Sequence, residues 1–101
     1  MNENIEKKAY LYVHRRLDNN EVFYVGIGSS KNFKRAYCKR NRNTWWKNTV
    51  TKTSYAVDIF YKNITVSQAR FYEINLIAMY GRKDLGKGLL VNLTDGGDGA
   101  F

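Results

Sequence analysis

Glu73 stands where a carboxylate is hardest to keep. Residues 65–80 carry a helical pattern: Thr65 offers an N-cap and Gln68 the amide of a capping box. At about 100° per residue, Val66, Ala69, Leu76, Ile77 and Tyr80 fall on one face. Gln68 and Asn75 mark the wettable side. Glu73 lies within the apolar face, and an ionised carboxylate there is strongly disfavoured unless a cation meets it. Two chemistries answer that demand. One is an ion pair, with Arg70 on the preceding turn or with a basic residue from elsewhere. The other is a metal ligand or catalytic carboxylate at the floor of a site, because displaced charges often mark function.

A second stretch with chemical content runs from Lys31 to Lys52. It holds eight basic residues and no acidic one, interleaved with Phe33, Tyr37, Trp45 and Trp46. Cations neutralise phosphates and rings stack on bases, so Lys31, Lys34, Lys39, Arg40, Arg42, Trp45, Trp46 and Lys47 are candidate nucleic-acid contacts. The competing reading is a solvated basic face with tryptophan in the core; at least one Trp is expected there. The whole chain points the same way: 17 Lys and Arg against 9 Asp and Glu give a formal charge of +8 over 101 residues. Such an excess favours a polyanion, and nucleic acid over a membrane surface. No apolar run approaches the roughly 18 residues of a membrane span. The opening Met1-Asn2-Glu3-Asn4 lacks the pattern of a signal peptide, so an intracellular, cytoplasmic protein is expected. One cysteine, Cys38, excludes an intramolecular disulfide and a Cys-rich zinc site.

The elements that must position these groups are short. Ala9 to Arg15 alternates, with Tyr10, Tyr12 and His14 on one side and Leu11 and Val13 on the other, which predicts a strand. Residues 16–20 are turn material, and Val22 to Ile27 predicts a second strand. A hairpin centred near Asp18 places Tyr12 opposite Tyr24, with Leu11, Val13, Phe23 and Val25 supplying the core. Gly26-Ile27-Gly28-Ser29-Ser30 leads into a helix over Asn32–Arg40, a weak phosphate-cradle pattern or a plain strand-to-helix turn. A short helix over Asn43–Lys52, a third strand over Tyr55–Tyr61 and the long helix follow. Gly81 closes that helix, a loop covers residues 82–88, and Leu89–Leu93 reads as a short strand or extended segment. With 44% hydrophobic residues and no linker, the chain reads as one domain over residues 1–101, of α+β class with a small antiparallel sheet.

Tyr10-Leu11-Tyr12 followed by Tyr24-Val25-Gly26 resembles the paired half-motifs of the GIY-YIG nuclease superfamily. Arg35, Glu73 and Asn92 follow in the order that family requires, and Leu90-Val91-Asn92-Leu93-Thr94-Asp95-Gly96-Gly97-Asp98-Gly99 is similar to phage- and homing-type members. The resemblance covers Tyr10 to Gly99. It implies a three-stranded antiparallel sheet flanked by helices, and a bacterial or phage-encoded endonuclease hydrolysing DNA phosphodiesters with one Mg²⁺ or Mn²⁺. By position it makes Tyr12, Tyr24, Arg35, Glu73 and Asn92 the catalytic set, with Glu73 the metal ligand. It departs from the family at Tyr10, where Gly is usual, at Ile27, where some members carry Lys, and at Lys39, where relatives place His or Tyr. His14 matches no family histidine and reads as an ordinary strand residue.

The implied chemistry is self-consistent. Mg²⁺ often takes only one or two protein carboxylates beside waters and phosphate, so a lone Glu73 is sufficient. Arg35 suits the non-bridging oxygens. Tyr12 or Tyr24 has to accept the water's proton, with a pKa of about 10 lowered by metal and Arg35 charge; the sequence does not choose between them, with a slight lean to Tyr12 from its depth in the first strand. Asn92 is expected to hydrogen-bond locally and fix the site. The rival from another class is a non-catalytic nucleic-acid-binding module of the same fold. No separate DNA-reading domain fits in 101 residues, so relaxed specificity, a homo-oligomer or a separate DNA-targeting partner is expected.

Overall fold

The computed structural model describes residues 8–29 and 32–97. Its chain order is β1 (Lys8–Arg16), β2 (Val22–Gly28), α1 (Lys34–Tyr37), α2 (Thr44–Lys52), β3 (Tyr55–Thr65) and α3 (Val66–Tyr80), then a 3-10 turn at Lys83–Leu85. The three strands form one antiparallel sheet in the order β2-β1-β3, flanked by helices: an α+β fold, as expected. Alternation along β1 divides the core. Leu11, Val13 and Val25 pack against Ile77 of α3, with Tyr72, Leu76 and Tyr80 around them. On the other face, Tyr10 and Tyr12 pack with Ala36 of α1 and with Tyr24, Phe33, Val57 and Ile59. No helix among the described residues is long and apolar enough to cross a membrane.

The hairpin register differs from the simple centred fold. Tyr12 faces Gly26 and His14 faces Tyr24, a slip of two positions. Two is the period of a strand, so the side chains from Tyr24 to Gly28 keep their faces. The cause lies near the turn, where Arg15 pairs with Val22 and Phe23 is the extra residue of a bulge. Phe23 therefore leaves the Leu11–Val13 core and joins Trp46 and Val91. Asn20 takes the left-handed conformation at φ 64°, and its N–H donates to Arg16 O.

Three other elements differ from the sequence pattern. Helix α1 is only one turn: Phe33 before it is left-handed at φ 58°, and Cys38 after it is extended. The guanidinium of Arg42 takes the carbonyls of both Arg35 and Cys38, which draws the chain away from the helical path. Strand β3 runs four residues further, to Thr65, along the start of β1. Leu89–Leu93 forms no strand, only a single parallel bridge between Arg82 and Leu90. Its residues are nonetheless buried at Leu90, Val91 and Asn92, because they close the open edge of β2. Helix α3 follows expectation closely. Thr65 Oγ1 accepts from Gln68 N–H, Gln68 Oε1 accepts from Thr65 N–H, and Gly81 N–H closes the last turn on Ile77 O.

Candidate functional site

Tyr12 and Tyr24 project from neighbouring strands on the α1 side of the sheet, with ring centroids 6.3 Å apart. Gly26 explains how they fit. The Tyr12 ring lies across the backbone of its partner residue, and a Cβ on Gly26 would penetrate it. Gly28 makes the same room for Tyr10, whose hydroxyl accepts from Ala36 N–H at 3.2 Å. Gly26 and Gly28 of β2 are thus seats for Tyr12 and Tyr10 of β1.

Over the two phenols sits Arg42, not Arg35. Its guanidinium is buried, donates to Tyr12 Oη at 3.2 Å, and lies 5.1 Å from the Tyr24 ring centre and 5.5 Å from Trp46. Among the described residues no carboxylate pairs with it. Its charge is met by the carbonyls of Arg35 and Cys38 and by aromatic faces instead. Arg42 was a candidate for the exposed phosphate track, and burial corrects that: three of its donors are spent inside. Arg35, half-buried on α1, directs Nη1 to Arg40 O at 3.3 Å.

Burial decides the electrostatics of Tyr12. Desolvation pushes its phenol up to about 12, Tyr24 adds to the rise, and Arg42 and Arg35 offset only part of it. Among the protein's own groups, loss of water thus outweighs the charge of the two arginines at Tyr12. Tyr24 is half-buried and is the more accessible phenol.

His14 supports this cluster from beneath. It is fully buried; Trp46 Nε1 donates to its Nδ1 at 2.9 Å, which leaves Nε2–H to donate to Ala36 O at 2.8 Å. An indole nitrogen is only a donor, so the hydrogen bonds fix one neutral tautomer. Burial lowers the imidazole to about 4, more than its bond to Ala36 restores. His14 thereby ties β1 to both α1 and α2. Trp46 is accordingly core, whereas Trp45 is exposed with Lys83 Nζ 5.9 Å from its ring centre. That corrects Trp46 as a stacking surface for bases.

Glu73 sits between buried Ala69 and Ile77 on the same stripe of α3 and is half-buried. Its Oε1 accepts from Gly97 N–H at 2.9 Å, and its side chain packs on Gly96. Helix α3 covers the Leu11–Val13 face while Tyr12 packs with Tyr24 and α1 on the other, so the phenols and Glu73 are supplied from different layers of the fold. Asn92 works locally, as expected. Its Oδ1 accepts from Val25 N–H at 3.0 Å and its Nδ2 donates to Val25 O at 2.8 Å, so one side chain completes the ladder of edge strand β2. Lys34, Lys39, Arg40 and Lys47 are exposed, while Lys31 lies outside the described residues.

Sequence reasoning missed Arg42 and His14 as the centre of the cluster. His14 carried a signal, sharing a face with Tyr10 and Tyr12; Arg42 carried none, since a lone arginine in a basic run looks solvated. Compared with known proteins, the chain matches no family model, no curated protein and no solved structure.

Proposed function

We propose that this chain is a divalent-metal-dependent DNA endonuclease of the GIY-YIG kind. The observation that carries the reading is the pair of adjacent phenols under a buried arginine, on a chain of charge +8. Among the described residues no three His, Cys, Asp or Glu side chains converge, so a cation enclosed by protein ligands does not fit. A hydrated Mg²⁺ or Mn²⁺ held by one carboxylate and by substrate phosphate does fit, and Glu73, oriented by Gly97 N–H, is the residue to hold it. When bound, such an ion neutralises charge on the phosphoryl group and the leaving oxygen.

The protein's own groups divide the remaining work. Tyr24, the accessible phenol, takes the role of proton acceptor; Tyr12, held protonated by burial, orients its neighbour through the shared Arg42. Arg35 offers a planar fork to non-bridging oxygens. The locked Tyr12 also supports a second reading, a nucleic-acid-binding module that does not cut. Plasmid nicking with and without Mg²⁺ or Mn²⁺ separates the two. Metal-dependent nicking by wild type, lost in Glu73→Gln with DNA binding retained, supports the nuclease. Binding without nicking at any metal concentration supports the module.

A further inference from the structure

Three concavities follow one another around the α1–α2 side of the molecule. The first, of about 310 Å³, is walled by Lys8, Tyr10, Ser29, Phe33, Lys62 and Asn63 at one end of the sheet. The second, of about 650 Å³, lies along α1 with Lys34, Arg35, Tyr37 and Asn41. The third, of about 550 Å³, is walled by Lys39 and Lys52 with the hydroxyls of Thr51, Thr53, Ser54 and Tyr55 at the other end. Consecutive residues join them: Phe33 to Lys34, and Cys38 to Lys39. Among the described residues no Asp or Glu lines any of the three. Residues 22–57 contain no acid at all. The concavity beside α3 is different, setting Arg82 and Lys87 against Asp95.

We infer that these concavities form one phosphate trough for a DNA duplex, with Lys8 and Lys62 gripping the backbone at one end and Lys39 and Lys52 at the other. Lys8 shares a face with Tyr10 and Tyr12, and Tyr55 pairs with Arg16 at the far end of β1. Eight steps of strand at about 3.3 Å put the ends roughly 25 Å apart. One strand of a duplex presents a charge about every 3.4 Å of axis, so the trough spans about seven phosphates. Lysines paired across a concavity with hydroxyls between them suit a backbone rather than base edges, and fix its path without reading sequence. Lys8 and Lys62 lie outside the basic run from Lys31 to Lys52 and join it only in three dimensions. The inference rests on the nucleic-acid reading of the tyrosine cluster but needs no cleavage.

The test is therefore binding in EDTA. A fluorescent 12-base-pair duplex is titrated with the full chain between 50 and 200 mM salt. Lys8→Ala, Lys52→Ala and Lys62→Ala should each flatten the log–log salt slope by about 0.9, and the triple variant by nearly three units. Lys87→Ala, on the α3 side, should leave the slope unchanged. Far-UV circular dichroism checks folding, and Lys62→Glu should weaken binding more than Lys62→Ala. Equal losses in Lys87→Ala, unchanged slopes in the three trough variants, or no duplex binding by wild type would each overturn the trough. Slopes as expected without any metal-dependent nicking would leave it standing and remove only the nuclease reading.

Discussion

Acid should unfold this protein through one side chain. His14 is the sole histidine, is fully buried, and spends both ring nitrogens: Nδ1 on the Trp46 indole N–H and Nε2–H on Ala36 O. A proton on Nδ1 would point at a group that can only donate, and burial together with the charges of Arg42 and Arg35 opposes it, so the imidazole titrates at about 4. In the unfolded chain it returns to about 6.5. Between those values the unfolded state binds more protons, so stability is full above pH 6.5 and is lost as pH falls toward 4. Each unit of difference is worth about 1.4 kcal/mol. The loss comes to about 2 kcal/mol from pH 7 to pH 5 and about 3 kcal/mol by pH 4. In a chain of this size, 2 kcal/mol lowers Tm by roughly 10 °C. Urea unfolding at constant ionic strength, followed by tryptophan fluorescence across pH 7.5 to 4.5, measures this directly. His14→Gln should be less stable overall, yet nearly flat over the same window, because the titrating group is gone. A flat wild-type profile would refute the reasoning, as would an equal decline in His14→Gln or a folded-state imidazole titrating near 6.5 by NMR.

Three further outcomes follow from the same geometry. Asn92→Ala strands the buried N–H and C=O of Val25 and should cost about 2–4 kcal/mol in denaturant unfolding, with no larger effect on DNA affinity than on stability. Gly26→Ala drives a methyl group into the Tyr12 ring; it should destabilise by about 1–3 kcal/mol and bring the Tyr12 phenol down from about 12 as it meets water, which NMR of the tyrosine Cζ carbons would follow. In cleavage assays at saturating DNA, Tyr24→Phe should lose roughly two to four orders of magnitude in rate and Tyr12→Phe less; the reverse order would return the base role to Tyr12.

Local rules on the sequence suffice for most of the frame. The capping box at Thr65 and Gln68 and the alternation of Tyr10, Tyr12 and His14 against Leu11 and Val13 each depend on residues a few positions apart, so they are legible before folding. The hairpin register was less secure: from Tyr24 to Gly28 a slip of two positions changes partners but not faces, whereas the bulge reverses Val22 and Phe23. What the linear order hides is anything decided by burial or by distant carbonyls. A bulge at Phe23 moves one core residue into another cluster, and an arginine from a basic run turns inward because three aromatic rings and two carbonyls meet there. The same burial that seats Tyr12 over Gly26 keeps its phenol protonated, against the influence of its cationic neighbours. Charge on an apolar helix face singled out Glu73, and the family resemblance named Tyr12, Tyr24 and Arg35. Desolvation, a property of the assembled core alone, set how Tyr12 and His14 hold their protons.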